Sequence, residues 1–164
     1  MRTVRKIGLV FVLIGLAAGV SFAADNASHD VTINVVEVIE LNVTAGTITL
    51  TADIGAGSAG DDPVGNSDTT KTVQYTSIWD GITARTIEAQ LAVGDVTPAG
   101  TALTLSAAGG TGSQTLSAGS GVAIINGIQS VATGATGPAL TYALTITNIA
   151  NLVGGASETV TVTL

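Results

Sequence analysis

From Thr159 to Leu164 threonine alternates with valine or leucine, and the same period of two recurs in TITLTADI (47–54), RTIEAQLAV (85–93), TALTLSA (101–107) and ALTYALTIT (139–147). Alternation of this kind puts every second side chain on one face of an extended chain, so each segment predicts a strand with one buried and one wet face. No stretch beyond residue 23 carries apolar residues at i, i+3, i+4 and i+7 for three turns, and threonine, valine and glycine are poor helix formers. The chain is therefore expected to be all-β.

The inward residues follow from the alternation. They are Ile48, Leu50, Ala52 and Ile54 in the first segment, Ile87, Ala89, Leu91 and Val93 in the next, and Leu140, Tyr142, Leu144 and Ile146 further on. Upstream, VTINVVEVIELNVT (31–44) alternates through Val31, Ile33 and Val35, then slips phase at Val36 and again at Ile39, which predicts bulges or a strand that changes sheet. KTVQYTSIW (71–79) adds another strand, and in VAIINGIQSV (122–131) Asn126-Gly127 predicts either a tight type I′ hairpin or one long strand broken at Gly127. Roughly seven to nine short strands separated by turn residues predict a β-sandwich, immunoglobulin-like or jelly-roll, as a single domain over 24–164.

Residues 1–23 have the pattern of a cleaved signal peptide. Arg2, Arg5 and Lys6 precede an apolar run from Ile7 to Val20, and Ser21-Phe22-Ala23 offers small residues at the cleavage positions. The run is shorter than the roughly 20 residues of a spanning helix, so a secreted protein of the cell surface, extracellular space or periplasm is expected, with no membrane span after processing. Lys71 and Arg85 then stand alone against 12 acidic residues, leaving 2 − 12 = −10 with His29 neutral. Nucleic acids and anionic lipids require clustered cations, and this chain has none to offer. It also has no cysteine, so stability rests on an aliphatic core without disulfides, and thiolate metal chemistry is excluded.

Chemical motifs are few. GAGSAG (55–60) spells a G-x-G-x-x-G after a strand, but DDPVGNSD follows where the dinucleotide fingerprint needs a helix, so a surface loop is expected. AAGGTGSQT (107–115) lacks the lysine and helix of a phosphate cradle. Asp61, Asp62, Asn66 and Asp68 could supply oxygen ligands to calcium, though their spacing is not that of an EF-hand and no other cofactor is indicated. His29, the only histidine, lies just after the cleavage site, so no Ser-His pair can be argued, and Glu37 and Glu40 lack the aromatic cleft of a glycosidase, so both glutamates read as a solvated strand face. Trp79 is either a core plug or a platform on which a ligand stacks. Asn26 and Asn42 match the N-glycosylation pattern. A non-enzymatic chain is expected.

The segments VTINVVEVIELNVT, VQYTSIWDGITARTIEAQL and ALTYALTITN with GASETVTVTL together resemble those of exported bacterial β-sandwich surface proteins, including pilin-like and coat-like subunits and WxL-type wall proteins. Trp79 is followed by Asp80 and Gly81 rather than by the Trp-x-Leu signature, and the disulfide usual in chaperone-usher pilins is missing. A transmembrane β-barrel also presents alternating strands after a signal peptide, but Tyr75, Trp79 and Tyr142 are too few for two aromatic girdles. The resemblance implies a structural subunit that self-associates or meets other surface proteins by strand addition. Val31, Ile33 and Val35 at one end and Val160, Val162 and Leu164 at the other are the contact residues expected. The competing expectation is a monomeric adhesin-like or carbohydrate-binding module working through its loops.

Overall fold

The computed structural model describes residues 31–53 and 57–164. The chain divides into two units at Val35/Val36; of the first, the described residues 31–35 form neither strand nor helix. His29, Asn26, the signal-peptide segment and part of the GAGSAG loop lie outside the described residues.

In the second unit the strands are, in chain order, β1 (Val38–Val43), β2 (Ala52–Asp53), β3 (Val64–Gly65), β4 (Ser67–Ile78), β5 (Arg85–Leu91), β6 (Thr101–Ala107), β7 (Gln114–Thr115), β8 (Val122–Ile128), β9 (Val131–Ala132), β10 (Ala139–Ile146) and β11 (Val162–Thr163). Every ladder between them is antiparallel. One sheet runs β1-β4-β10-β6-β7 with β9 also on β4, a second runs β11-β5-β8, and β2 pairs with β3. The only helical turns among the described residues are two short 3-10 segments, Gly134–Thr136 and Ile149–Asn151, and no helix there is long and apolar enough to cross a membrane.

Both larger sheets turn alternate residues into one core. Val73, Leu103, Leu105, Ala107, Leu140 and Tyr142 come from the first, and Ile87, Ala89, Leu91, Ile124, Ile125 and Ile128 from the second. Leu105, Ile124, Leu140 and Val73 are fully buried, each contributing roughly 1.5–3 kcal/mol by leaving water. Close backbone approaches demand glycine at several places, among them Gly137, where a Cβ would run into the Val73 carbonyl oxygen, and Gly65, where it would meet that of Leu144.

Several expectations are corrected. The strand expected from Val31 begins only at Val38. Of TITLTADI, whose Ile54 lies outside the described residues, only Ala52–Asp53 among the described residues joins a ladder; Ile48 and Leu50 pack on the core as the alternation requires, while Ala52, expected inward, is exposed. Val93 is exposed because β5 stops at Leu91 and the chain turns, Asp95 N–H donating to the Ala92 carbonyl across Gly94 at φ +95°. Asn126-Gly127 closes no hairpin: it lies inside β8, where the register against β5 passes from Arg85–Ile128 to Ile87–Ile125 with one extra residue on β8, and Gly127 takes φ +71°. A second extra residue separates Ile87–Ile125 from Glu88–Ala123, and this bulge lets the adjacent Ile124 and Ile125 both face the core.

Candidate functional site

β4 is the longest strand and it divides its two edges unequally. One edge carries β10 against Ser67–Thr72 and β9 against Thr76 and Ser77, while β1 covers the other from Val73 to Ile78. Beyond β1 no further strand pairs among the described residues. Ile39, Leu41 and Val43 lie opposite Ser77, Tyr75 and Val73, on the face that buries Val73. Toward this end the core thins out, leaving Ile39 64% and Leu41 41% exposed. A groove of ≈ 560 Å³ runs beside them, lined by Glu40, Leu41, Asn42, Gln74, Tyr75 and Thr133 among others. Asn42 Nδ2 donates to Gln74 Oε1 at 3.0 Å across the two strands.

The expected contact residues separate into two unlike groups. Val31, Ile33 and Val35 stand 70%, 83% and 72% exposed, and the described residues from 31 to 37 form no strand. Val160, Val162 and Leu164 are half-buried against the core, and β11 pairs with β5 through Val162–Leu91 and Thr163–Gln90. That seat is reinforced by Ala92 N–H donating to the Thr161 carbonyl at 2.8 Å and by Thr161 N–H donating to Asp95 Oδ2 at 2.6 Å.

The four oxygen-bearing residues of the acidic loop are each engaged locally or lie apart. Asp61 Oδ2 accepts from Ser58 N–H at 2.6 Å and Asp61 N–H donates back to the Ser58 carbonyl, closing a turn through Gly60. Asn66 Oδ1 accepts from Thr51 N–H at 2.8 Å and ties the β2–β3 pair together. Asp68 Oδ1 accepts from both the amide and the hydroxyl of Thr70, at 2.8 and 2.7 Å, where β4 carries one extra residue against β10. Those bonds, with the Lys71 charge beside them, hold the Asp68 carboxyl below the usual carboxylate range. Asp62 is exposed, and among the described residues no group of three His, Asp or Glu could hold a metal ion. After GAGSAG the chain enters β3 rather than a helix.

Trp79 is half-buried and stands apart from the main core cluster; its amide donates to Ser130 Oγ at 3.0 Å, while the indole N–H is shut off from water and meets no hydrogen-bond partner among the described residues. It is thus neither a full core plug nor an open platform. Tyr142 is the buried aromatic, and burial pushes its hydroxyl pKa up.

Sequence reading gave no role to the two cations, and both prove structural. Lys71 is buried at an inward position of β4, where its Nζ donates to the Ala45 carbonyl at 3.0 Å. Arg85, at the start of β5 with its side chain 19% exposed, pairs with Glu37, so this glutamate is no mere solvated surface group. The signal available for Lys71 was its phase, since it precedes Val73 and Tyr75 on one face of an alternating strand.

Family models, curated proteins and solved structures offer no match to the chain. Its function must be argued from its own surfaces.

Proposed function

We propose that the protein is an exported, non-catalytic β-sandwich of immunoglobulin-like or jelly-roll type that serves as a subunit of an extracellular filament, coat or matrix and assembles by strand addition. The observation that carries this reading is β1: a six-residue edge strand, with exposed Ile39 and Leu41, preceded in the chain by the exposed alternating Val31, Ile33 and Val35. Soluble proteins usually blunt such edges with charge, proline or brevity, because an unpaired strand recruits another. Here Glu40 is the only charged residue in the strand. The signal-peptide pattern and the lack of disulfides suit an exported subunit that folds by its core alone.

Size-exclusion chromatography and negative-stain microscopy of the purified protein test the reading. Concentration-dependent assembly, or filaments or a coat on cells, is expected. A monomer at every concentration together with bare cell surfaces contradicts it.

The groove beside β1 favours a second reading. The side chains of Glu40, Asn42, Gln74 and Thr76 along it share one face of the β1–β4 pair and are of the polar kind that hold a ligand such as a carbohydrate. A monomer that binds polysaccharide, and loses that binding in Gln74→Ala, would support that alternative.

A further inference from the structure

The hydrogen-bond phase of β1 shows which of its backbone groups are free. Thr44 N–H donates to the Thr72 carbonyl at 3.0 Å, one step beyond the Val43–Val73 pair. In an antiparallel ladder the bonded pairs alternate, so Asn42, Glu40 and Val38 face β4 while Val43, Leu41 and Ile39 present their N–H and C=O groups to the open side. The far edge of β4 agrees: Val73 N–H donates to the Pro138 carbonyl, Tyr75 N–H to Thr133 Oγ1, and Thr133 N–H to the Tyr75 carbonyl. Among the described residues nothing meets the three outward pairs of β1 groups.

Resting on the strand-addition reading, we infer that β1 pairs with β1 of a second copy, antiparallel and two-fold symmetric, with Leu41 opposite Leu41. The outward groups belong to odd-numbered residues, so only registers that set odd against odd can form the ladder. Two of these overlap most of the strand. One sets Ile39 against Leu41 and therefore Glu40 against Glu40, a like-charge pair that destabilises a sheet. The other sets Leu41 against Leu41, Ile39 against Val43 and Glu40 against Asn42, which opposes each carboxylate with an amide able to donate to it. The strand is thus self-complementary in one register, and pairing there continues the sheet from β4 through β1 into the second copy, with Ile39, Leu41 and Val43 of both copies on one face.

The absence of cysteine makes a cross-linking test clean. Leu41→Cys places two thiols opposite each other across the two-fold axis, at the Cα separation a disulfide accepts, whereas Ile39→Cys faces Val43 and not itself. Under mild oxidation Leu41→Cys is expected to give a covalent dimer and Ile39→Cys to remain largely uncrosslinked, while an equimolar mixture of Ile39→Cys and Val43→Cys gives the heterodimer. Charge provides a check that leaves the backbone alone. Asn42→Glu sets two glutamates against each other at each end of the pair and should weaken the dimer about tenfold. Adding Glu40→Lys to Asn42→Glu restores opposite charges and should return the affinity to at least the wild-type level. Both variants lose the same Asn42–Gln74 bond, so recovery reports the contact between copies.

If the protein assembles but Leu41→Cys does not cross-link, or the double variant does not recover, this pairing is wrong and strand addition occurs elsewhere, for instance through residues 31–35. If sedimentation finds only monomers, both the pairing and the assembly reading fall.

Discussion

β1 and β11 are both edge strands, yet their situations are opposite. β11 contributes only Val162 and Thr163 to a ladder, but its neighbours Val160 and Leu164 pack on the core and Asp95 accepts from Thr161 beside it. β1 is three times as long and fully laddered to β4, yet among the described residues nothing meets its outer groups, and Ile39 and Leu41 are exposed. The difference teaches that ladder length alone does not reveal which strand is spare. Burial of the side chains and the direction of the free backbone groups do.

The largest contrast should come from placing a charge in each strand. Val162→Asp forces a carboxylate against the core and should cost about 3 kcal/mol, lowering the urea midpoint markedly. Ile39→Asp puts the same group on an exposed position and should change monomer stability by no more than about 0.5 kcal/mol. Equal losses would erase the distinction between the strands.

Proline sharpens the comparison within β1. Asn42→Pro removes an amide bonded to β4 and should cost about 2 kcal/mol in denaturant unfolding, whereas Leu41→Pro removes an outward amide and should leave the monomer nearly as stable. The ion pair that links β5 to the residue just before β1 should respond asymmetrically. Glu37→Gln strands a largely buried guanidinium and should cost about 2 kcal/mol, while Arg85→Met leaves Glu37 half in water and should cost under about 1 kcal/mol.

The smallest effect is electrostatic. Because the Asp68 pKa is depressed in the fold, the stability it contributes is present above the ordinary carboxylate pKa and is lost as pH falls through the folded value. Asp68→Asn should flatten that part of the acid unfolding curve without altering stability trends near neutrality. Tyr142 works in the other direction: its raised pKa gives stability that is present below pH about 10 and lost as pH rises through the folded value, so Tyr142→Phe should blunt the alkaline decline.

The parts of this fold legible in the sequence are those where alternation and pairing coincide. Ile87, Ala89 and Leu91, like Leu140 and Tyr142, are buried as their period requires. Alternation reports half-burial and not hydrogen bonding, which is why Thr47–Leu50 reads as a strand, packs like one, and still joins no ladder. The Asn126-Gly127 signal correctly marked a glycine with positive φ, but the same conformation serves a bulge as well as a turn, and only the β5 register distinguishes them. At the candidate site, the phase slips near Val36 and Ile39 predicted bulges or a change of sheet, yet β1 runs in unbroken register with β4 from Val38 to Val43. They could not show that Val160, Val162 and Leu164 are committed to β5 and the core, because pairing between distant strands leaves no local mark.

The most direct test of the central claim, that β1 is the spare edge and β11 is seated, is residue-resolved amide exchange by NMR as a function of protein concentration. In dilute solution the amides of Ile39, Leu41 and Val43 should exchange quickly while those of Glu40 and Asn42 are protected. On concentration the first three should gain protection, with β11 unchanged. Protection that rises in β11 while the outward amides of β1 stay fast would contradict the account.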